Sequence, residues 1–102
     1  MKLVTKELLK KFEKYPIGSQ DNDNPEILVH YFNPTGSGDW YVLEAGLDEY
    51  EDDILFFGYV KLHDNELGYF TLKQLESVRL PYGLSIERDL YFGDHTLKDV
   101  ME

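Results

Sequence analysis

A chain of 102 residues, 42% hydrophobic and 15% aromatic, has the size and apolar content of one domain with one core. It contains no cysteine, which excludes disulfides and thiolate zinc sites and favours a cytoplasmic location. The net charge is −10, and because residues 1–14 carry five lysines against two acids, residues 15–102 carry −13. A segment with this negative charge repels nucleic acid, so we expect a protein partner that is basic or binds nucleic acid.

The first predicted element is an amphipathic helix near the N-terminus. It runs from Thr5, which can cap its first turn, to about Tyr15, and Pro16 and Gly18 end it. The residues before it lack the apolar run of a signal peptide, and no segment is long enough to span a membrane. We therefore expect neither export nor membrane insertion.

Three β-rich segments follow the helix. Ile27 to Phe32 and Trp40 to Ala45 flank a Gly-rich turn and are predicted to form a hairpin. The third, Ile54 to His63, is the most apolar in the chain and is expected in the middle of the sheet, covered on both faces.

The C-terminal part is predicted to contain a helix, a strand and a short helix. Thr71 with Gln74 three residues later forms the pattern of a capping box, which predicts a helix from Thr71 to about Arg79. Ile86 to Phe92 alternates as a strand does, and Thr96 can cap a last short helix. The expected fold is α+β, a single acidic domain over residues 1–102. Its small antiparallel sheet of three to four strands carries the N-terminal helix and the second helix.

Several segments together form a recognisable pattern. They are Leu3–Lys11, Leu55–Gly58, Glu66–Phe70, Leu75–Arg79, Gly83-Leu84 and Ile86–Phe92. In content and spacing they resemble the domain of unknown function 2958 family, small proteins of bacterial plasmids, conjugative elements and phages. The resemblance implies a mobile-element setting and assigns no activity, cofactor or catalytic residue.

An acidic run between the second and third strands is the main candidate for function. Asp48, Glu49, Glu51, Asp52 and Asp53 surround Tyr50. One interpretation is a solvated loop that only adds solubility. The functional hypothesis is a partner-binding surface in which these residues and Tyr41 enter a basic cleft, with carboxylates standing in for nucleic-acid phosphates. It describes a non-enzymatic accessory or inhibitory protein that acts on a nucleic-acid-handling or host-defence protein.

The alternative function is a small hydrolase or metal-assisted enzyme. On a strand Glu87 and Asp89 would share a face about 7 Å apart, a separation at which two carboxylates can divide acid and base roles. A histidine would have to join them, although His30, His63 and His95 show no ligand spacing. A solvated acidic face, with Arg88 joining two elements, is the structural alternative. No cofactor and no metal site is predicted.

A third possibility is self-association. Trp40 and Val42 would serve as apolar contacts if they lay on an outer face of the sheet. The sequence leaves the oligomeric state open.

Overall fold

The computed structural model describes residues 1–101 and contains three α-helices and one short 3-10 helix, Pro81–Gly83, in that range. Helix α1 spans Lys6–Lys14, α2 spans Leu72–Ser77 and α3 spans Leu97–Val100. Thr5 caps α1, since its Oγ1 accepts a hydrogen bond from the Leu8 N–H at 3.2 Å. None of these helices has the length and apolar character needed to cross a membrane.

Seven strands form two sheets among the described residues. The larger sheet has the order β5-β4-β3-β2-β6, and neighbouring strands pair antiparallel. Its strands are β2 (Val29–Phe32), β3 (Asp39–Asp48), β4 (Asp53–Lys61), β5 (Asn65–Thr71) and β6 (Glu87–Arg88). In the smaller sheet β1 (Glu26–Ile27) pairs with β7 (His95–Thr96). The α+β class is confirmed, with more strands than the three to four predicted.

The extra strands arise where the sequence signal is weak or interrupted. β5 was not predicted, because Gly68 lies in its middle and the strand runs directly into the capping box of α2. The segment predicted as one strand from Ile27 to Phe32 is divided between two sheets. At the division the Leu28 N–H donates to the Val42 carbonyl at 2.7 Å.

The predicted strand from Ile86 to Phe92 is much shorter in the structure. Only Glu87–Arg88 pairs with β2. The Asp89 N–H still donates to the His30 carbonyl at 2.9 Å, but the Asp89 carboxylate then accepts the Tyr91 N–H at 3.0 Å. This local turn takes the chain out of the sheet.

The main core lies between one face of the large sheet and helices α1 and α2. It includes Phe12 from α1, Phe56 from β4 and Leu75 from α2. Trp40 and Val42 also face this core, contrary to the expectation of an outer position. Val42 pairs with Gly58 in the register of β3 and β4, and this pairing directs it to the same face as Phe56.

A second, smaller cluster lies on the opposite face of the large sheet. Its buried members are Ile27, Tyr41, Leu43, Tyr59 and Leu97. The C-terminal segment with α3 covers only this part of the face. Further along β4, Leu55 stays exposed, so this strand is not covered on both faces as predicted.

Candidate functional site

The acidic run forms the tip of the hairpin that joins β3 to β4. We call residues 48–53 the acidic tip. Asp48 and Asp53 are the last paired residues of the two strands. Oδ1 of Asp48 accepts hydrogen bonds from the N–H groups of Tyr50 and Glu51, both at 3.1 Å. The Asp48 carboxylate therefore shapes the turn.

The other end of the acidic tip is attached to helix α2. Oδ1 of Asp53 accepts from the Ile54 N–H at 2.8 Å and from the Lys73 N–H at 3.0 Å. The second bond satisfies one of the free amides in the first turn of α2. Nζ of Lys73 also donates to the Glu51 carbonyl. Asp53 is thus a structural residue as well as an acidic one.

The remaining side chains of the acidic tip point to solvent. Glu49, Glu51 and Asp52 are exposed, and Tyr50 is fully exposed. Within residues 1–101 their side chains accept or donate no hydrogen bond and form no ion pair. Asp52 has a φ of 51°, a left-handed conformation that Asp and Asn tolerate better than most residues. The turn therefore presents three carboxylates and one phenol to solvent.

Apolar side chains lie beside these carboxylates. Leu47 and Leu55 are exposed on the strands next to the tip. With Tyr50 they line a shallow cleft of about 340 Å³ whose rim includes Asp48 and Glu49. This arrangement of apolar and aromatic contacts within a charged rim is typical of protein interfaces.

The acidic charge is not neutralised within the chain. Among residues 1–101, every ion pair within 4 Å involves a histidine: His30 with Asp39 and Asp89, and His95 with Asp99. No described Lys or Arg forms such a pair with a carboxylate. The negative charge that follows from twenty acidic and ten basic residues therefore stays largely unpaired among the described residues.

Tyr41, predicted as a partner contact, lies away from the acidic tip. It is on the covered outer face of the sheet and only 8% exposed. Its ring stacks on His30 with 4.4 Å between ring centroids and 8° between planes. Burial, with the nearby carboxylates of Asp39 and Asp89, raises the pKa of Tyr41 to about 12. Tyr41 is therefore not available to a partner that docks on the tip.

His30 is the centre of a second polar cluster, which we call the histidine clamp (His30, Asp39 and Asp89). Nε2 of His30 lies 2.7 Å from Oδ1 of Asp39, and Nδ1 lies 2.9 Å from Oδ2 of Asp89. His30 is on β2, Asp39 begins β3, and Asp89 follows β6. The clamp thus ties together three neighbouring segments of the sheet.

Both ring nitrogens of His30 lie within hydrogen-bond distance of a carboxylate oxygen. Each carboxylate can accept a hydrogen bond from a ring nitrogen that carries a proton. Burial acts to raise the pKa of Asp89, but hydrogen bonds from His30 and the Tyr91 N–H, with the charges of His30 and His95, hold it below its ordinary value.

Glu87 does not join the clamp. It is half-buried and lies opposite Phe32 in the pairing of β6 with β2. Arg88, between Glu87 and Asp89, donates from Nη1 to the Lys2 carbonyl at 2.6 Å, which ties β6 to the N-terminal segment. The carboxylate partner of Asp89 in the structure is therefore Asp39, through His30.

No metal centre is assembled among residues 1–101. The carboxylates of Asp39 and Asp89 bond to opposite nitrogens of His30 and so lie on opposite sides of the ring. His63 is exposed in the turn between β4 and β5, and His95 contacts Asp99 through Nδ1 at 3.3 Å. The three histidines do not converge.

A groove of about 570 Å³ lies next to the clamp, between α1 and the segment after β6. Lys11 and Arg88 line it together with Glu7 and Asp89, over a floor that includes Leu8. The mixed charges select neither an anionic nor a cationic ligand.

Sequence reasoning located the acidic tip but missed the clamp. Asp39 and His30 are nine residues apart, and Asp89 is 59 residues from His30. No spacing motif joins such positions, because only the pairing of β2 with β3 and β6 brings them together. The weak signal in the sequence was a histidine inside an apolar β-rich segment, where it needs a polar partner.

The chain was compared with protein families, curated proteins and solved structures. A family model described as "Protein of unknown function (DUF2958)" matches residues 3–100. No curated protein and no solved structure gave a match. The family match spans both the acidic tip and the histidine clamp, and it confirms the resemblance seen in the sequence. The chain belongs to the domain of unknown function 2958 family.

Proposed function

We propose that the protein is a non-enzymatic binding protein whose acidic tip docks on a basic surface of a protein partner. The observation that carries the proposal is the set of free side chains on the tip. Glu49, Tyr50, Glu51 and Asp52 are exposed, and their side chains have no hydrogen-bond or ion-pair partner within residues 1–101. Acidic groups in such a position accelerate association with a basic surface and set its register.

The fixed shape of the tip supports this proposal. Asp48 and Asp53 hold the turn and join it to α2, so the tip does not have to become ordered when it binds. A preordered loop loses less conformational entropy on association than a flexible one. Leu47 and Tyr50 add apolar area beside the charges, which a loop serving solubility alone does not require.

The partner class follows from the charge. A body with a net charge of −13 over residues 15–102 repels nucleic acid and attracts proteins that bind it. Carboxylates of the tip then occupy positions that phosphates would take. In the mobile-element setting that the family resemblance implies, we extend the proposal to an accessory or inhibitory protein of a plasmid or phage. Its targets are proteins of host defence or nucleic-acid handling.

Comparative capture from host lysate tests the proposal. The tip variant is Glu49→Gln/Glu51→Gln/Asp52→Asn, which removes three charges and keeps the two structural carboxylates. The matched control is Asp21→Asn/Asp23→Asn/Asp94→Asn, which removes three exposed charges elsewhere. Wild type and control should retain the same basic nucleic-acid-binding protein, and the tip variant should lose it. Identical recovery by all three would contradict the proposal.

A second candidate, hydrolysis, rests on the contact of 2.9 Å between Asp89 and His30 beside the 570 Å³ groove. In this candidate Asp89 orients His30 as the base, and Glu87 supplies a further carboxylate. Its weakness is that Asp39 already occupies Nε2 of His30, where a substrate proton would have to bind. Hydrolysis of p-nitrophenyl acetate or p-nitrophenyl phosphate that His30→Gln abolishes and His63→Gln preserves would establish this enzyme.

A further inference from the structure

The outer edge of strand β5 is the longest strand edge without a neighbour within residues 1–101. The strand ends the five-stranded sheet and pairs only with β4. The other end of the sheet is formed by β6, which has only two residues. Alternate residues along the seven of β5 therefore offer backbone N–H and C=O groups to a further strand.

This edge lacks the features that normally protect strand edges. Proteins usually place Lys, Pro or a bulge on such a strand. Residues 65–71 contain no Lys and no Pro, and their pairing with β4 has no register shift. Glu66 is their only charged residue, and a Cβ at Gly68 would meet nothing within 4 Å. The edge is regular, nearly uncharged and open at its centre.

Exposed apolar side chains lie along the same strand. Leu67 is 48% exposed and Tyr69 is 63% exposed. They pair with Tyr59 and Phe57 of β4 and so share the outer face of the sheet, where Leu55 is also exposed. An added strand would extend this face and cover part of both side chains.

We infer that β5 pairs antiparallel with β5 of a second copy of this chain, with the two-fold axis at Gly68. Each Leu67 then lies opposite the partner's Tyr69, and each Glu66 lies opposite the partner's Phe70. This register uses all seven residues of the strand, since Asn65 lies opposite the partner's Thr71. The two five-stranded sheets become one continuous sheet.

The low charge of the edge favours a second copy as the occupant. In this register no two carboxylates are opposed, and each Leu67 meets the partner's Tyr69. The chain carries a net charge of −10, whereas this edge carries one charge in seven residues, so like-charge repulsion between two copies is low along it. The inference is independent of the proposed function, because the β5 edge and the acidic tip share no residue.

Sedimentation velocity over a concentration series tests the dimer. Wild type should shift with concentration to twice the chain mass of 12.0 kDa. Leu67→Lys/Tyr69→Lys places like charges opposite each other and should remain monomeric. Leu67→Lys/Tyr69→Glu places opposite charges across the same axis and should dimerise again. The control Leu90→Lys/Tyr91→Lys changes a leucine and a tyrosine that are exposed elsewhere, and it should dimerise as wild type does.

The Leu67→Lys/Tyr69→Glu variant tests the proposed register. If the two strands were shifted by two residues, residue 67 would lie opposite residue 67 of the other copy, or residue 69 opposite residue 69. Like charges would then face each other, and the variant would not dimerise. Wild type that stays monomeric at every concentration would overturn the inference. A dimer that survives the Leu67→Lys/Tyr69→Lys change, or that the opposite-charge variant fails to restore, would also overturn it. Wild type and variants are expected to share one circular dichroism spectrum, because both positions are exposed.

Discussion

Removal of His30 is expected to destabilise the fold more than any other change of a single polar side chain described above. His30 is 9% exposed, and its ring nitrogens lie 2.7 and 2.9 Å from two carboxylates. Hydrogen bonds to charged groups contribute about 1.5–3 kcal/mol each, and the lower value applies because Asp39 and Asp89 are partly exposed to water. The stack on Tyr41 adds about 0.5–1.5 kcal/mol.

His30→Ala should therefore lower the free energy of unfolding by about 3.5–4.5 kcal/mol. It also leaves two carboxylates facing a vacated site without the ring nitrogens that lay between them. The protein should still fold, because domains of this size are stable by about 5–15 kcal/mol. Urea unfolding followed by the fluorescence of Trp40, the only tryptophan, gives the measurement.

The matched control is His63→Ala, since His63 is exposed and outside the clamp. It should change stability by less than about 0.5 kcal/mol. A loss below about 1 kcal/mol for His30→Ala would refute the reasoning, because the two contacts would then contribute no more than an ordinary surface pair.

Three further predictions concern acid stability, a helix cap and a close backbone contact. The pKa of Asp89 in the fold lies below its ordinary 3.8, so its ionised form stabilises the protein above that pH, and this stabilisation is lost as the pH falls through the lowered value. In the Asp89→Asn variant the urea midpoint should therefore fall less steeply as the pH decreases into the acid range. The same fall as in wild type would contradict this. Thr71→Ala should cost about 1 kcal/mol in urea unfolding, because it removes the oxygen that accepts the Gln74 N–H at 3.1 Å, and an unchanged midpoint would show that the cap contributes nothing. Gly58→Ala should lower the free energy of unfolding by about 3 kcal/mol or more, because its Cβ would lie 2.1 Å from the Tyr41 carbonyl oxygen. Gly68→Ala, whose Cβ would meet nothing within 4 Å, should lower it by about 1 kcal/mol or less. Equal thermal midpoints for the two variants would refute the close contact.

Local signals predicted the helices well and the sheet only in part. The capping box at Thr71 is complete in the structure, and at α3 the Asp99 carboxylate accepts the Thr96 N–H at 2.9 Å. Such caps depend on residues three apart and can be read without the fold. Strand β5 has no such signal, because Gly68 interrupts its alternation. The two-residue pairing of β1 with β7 exists only because the C-terminal segment packs on the sheet.

The two polar sites differ in the same way. The acidic tip was predictable because its charges are consecutive, although the hydrogen bonds of Asp48 and Asp53 were not. The clamp was not predictable, because strand order decides which carboxylates face His30. The sequence singled out Asp89 beside Glu87, whereas the structure joins Asp89 to His30. Charge runs are local properties, and ion pairs across strands are properties of the fold.

The association rate of the captured partner at two ionic strengths tests the central claim, that the acidic tip is a docking surface. At low salt the Glu49→Gln/Glu51→Gln/Asp52→Asn variant should associate about tenfold more slowly than wild type. Between about 50 and 300 mM salt the rate for wild type should fall steeply and the rate for the tip variant should fall little. The Asp21→Asn/Asp23→Asn/Asp94→Asn control should follow wild type. Equal rates and equal salt slopes for wild type and the tip variant would contradict the account and leave the tip a solvated turn.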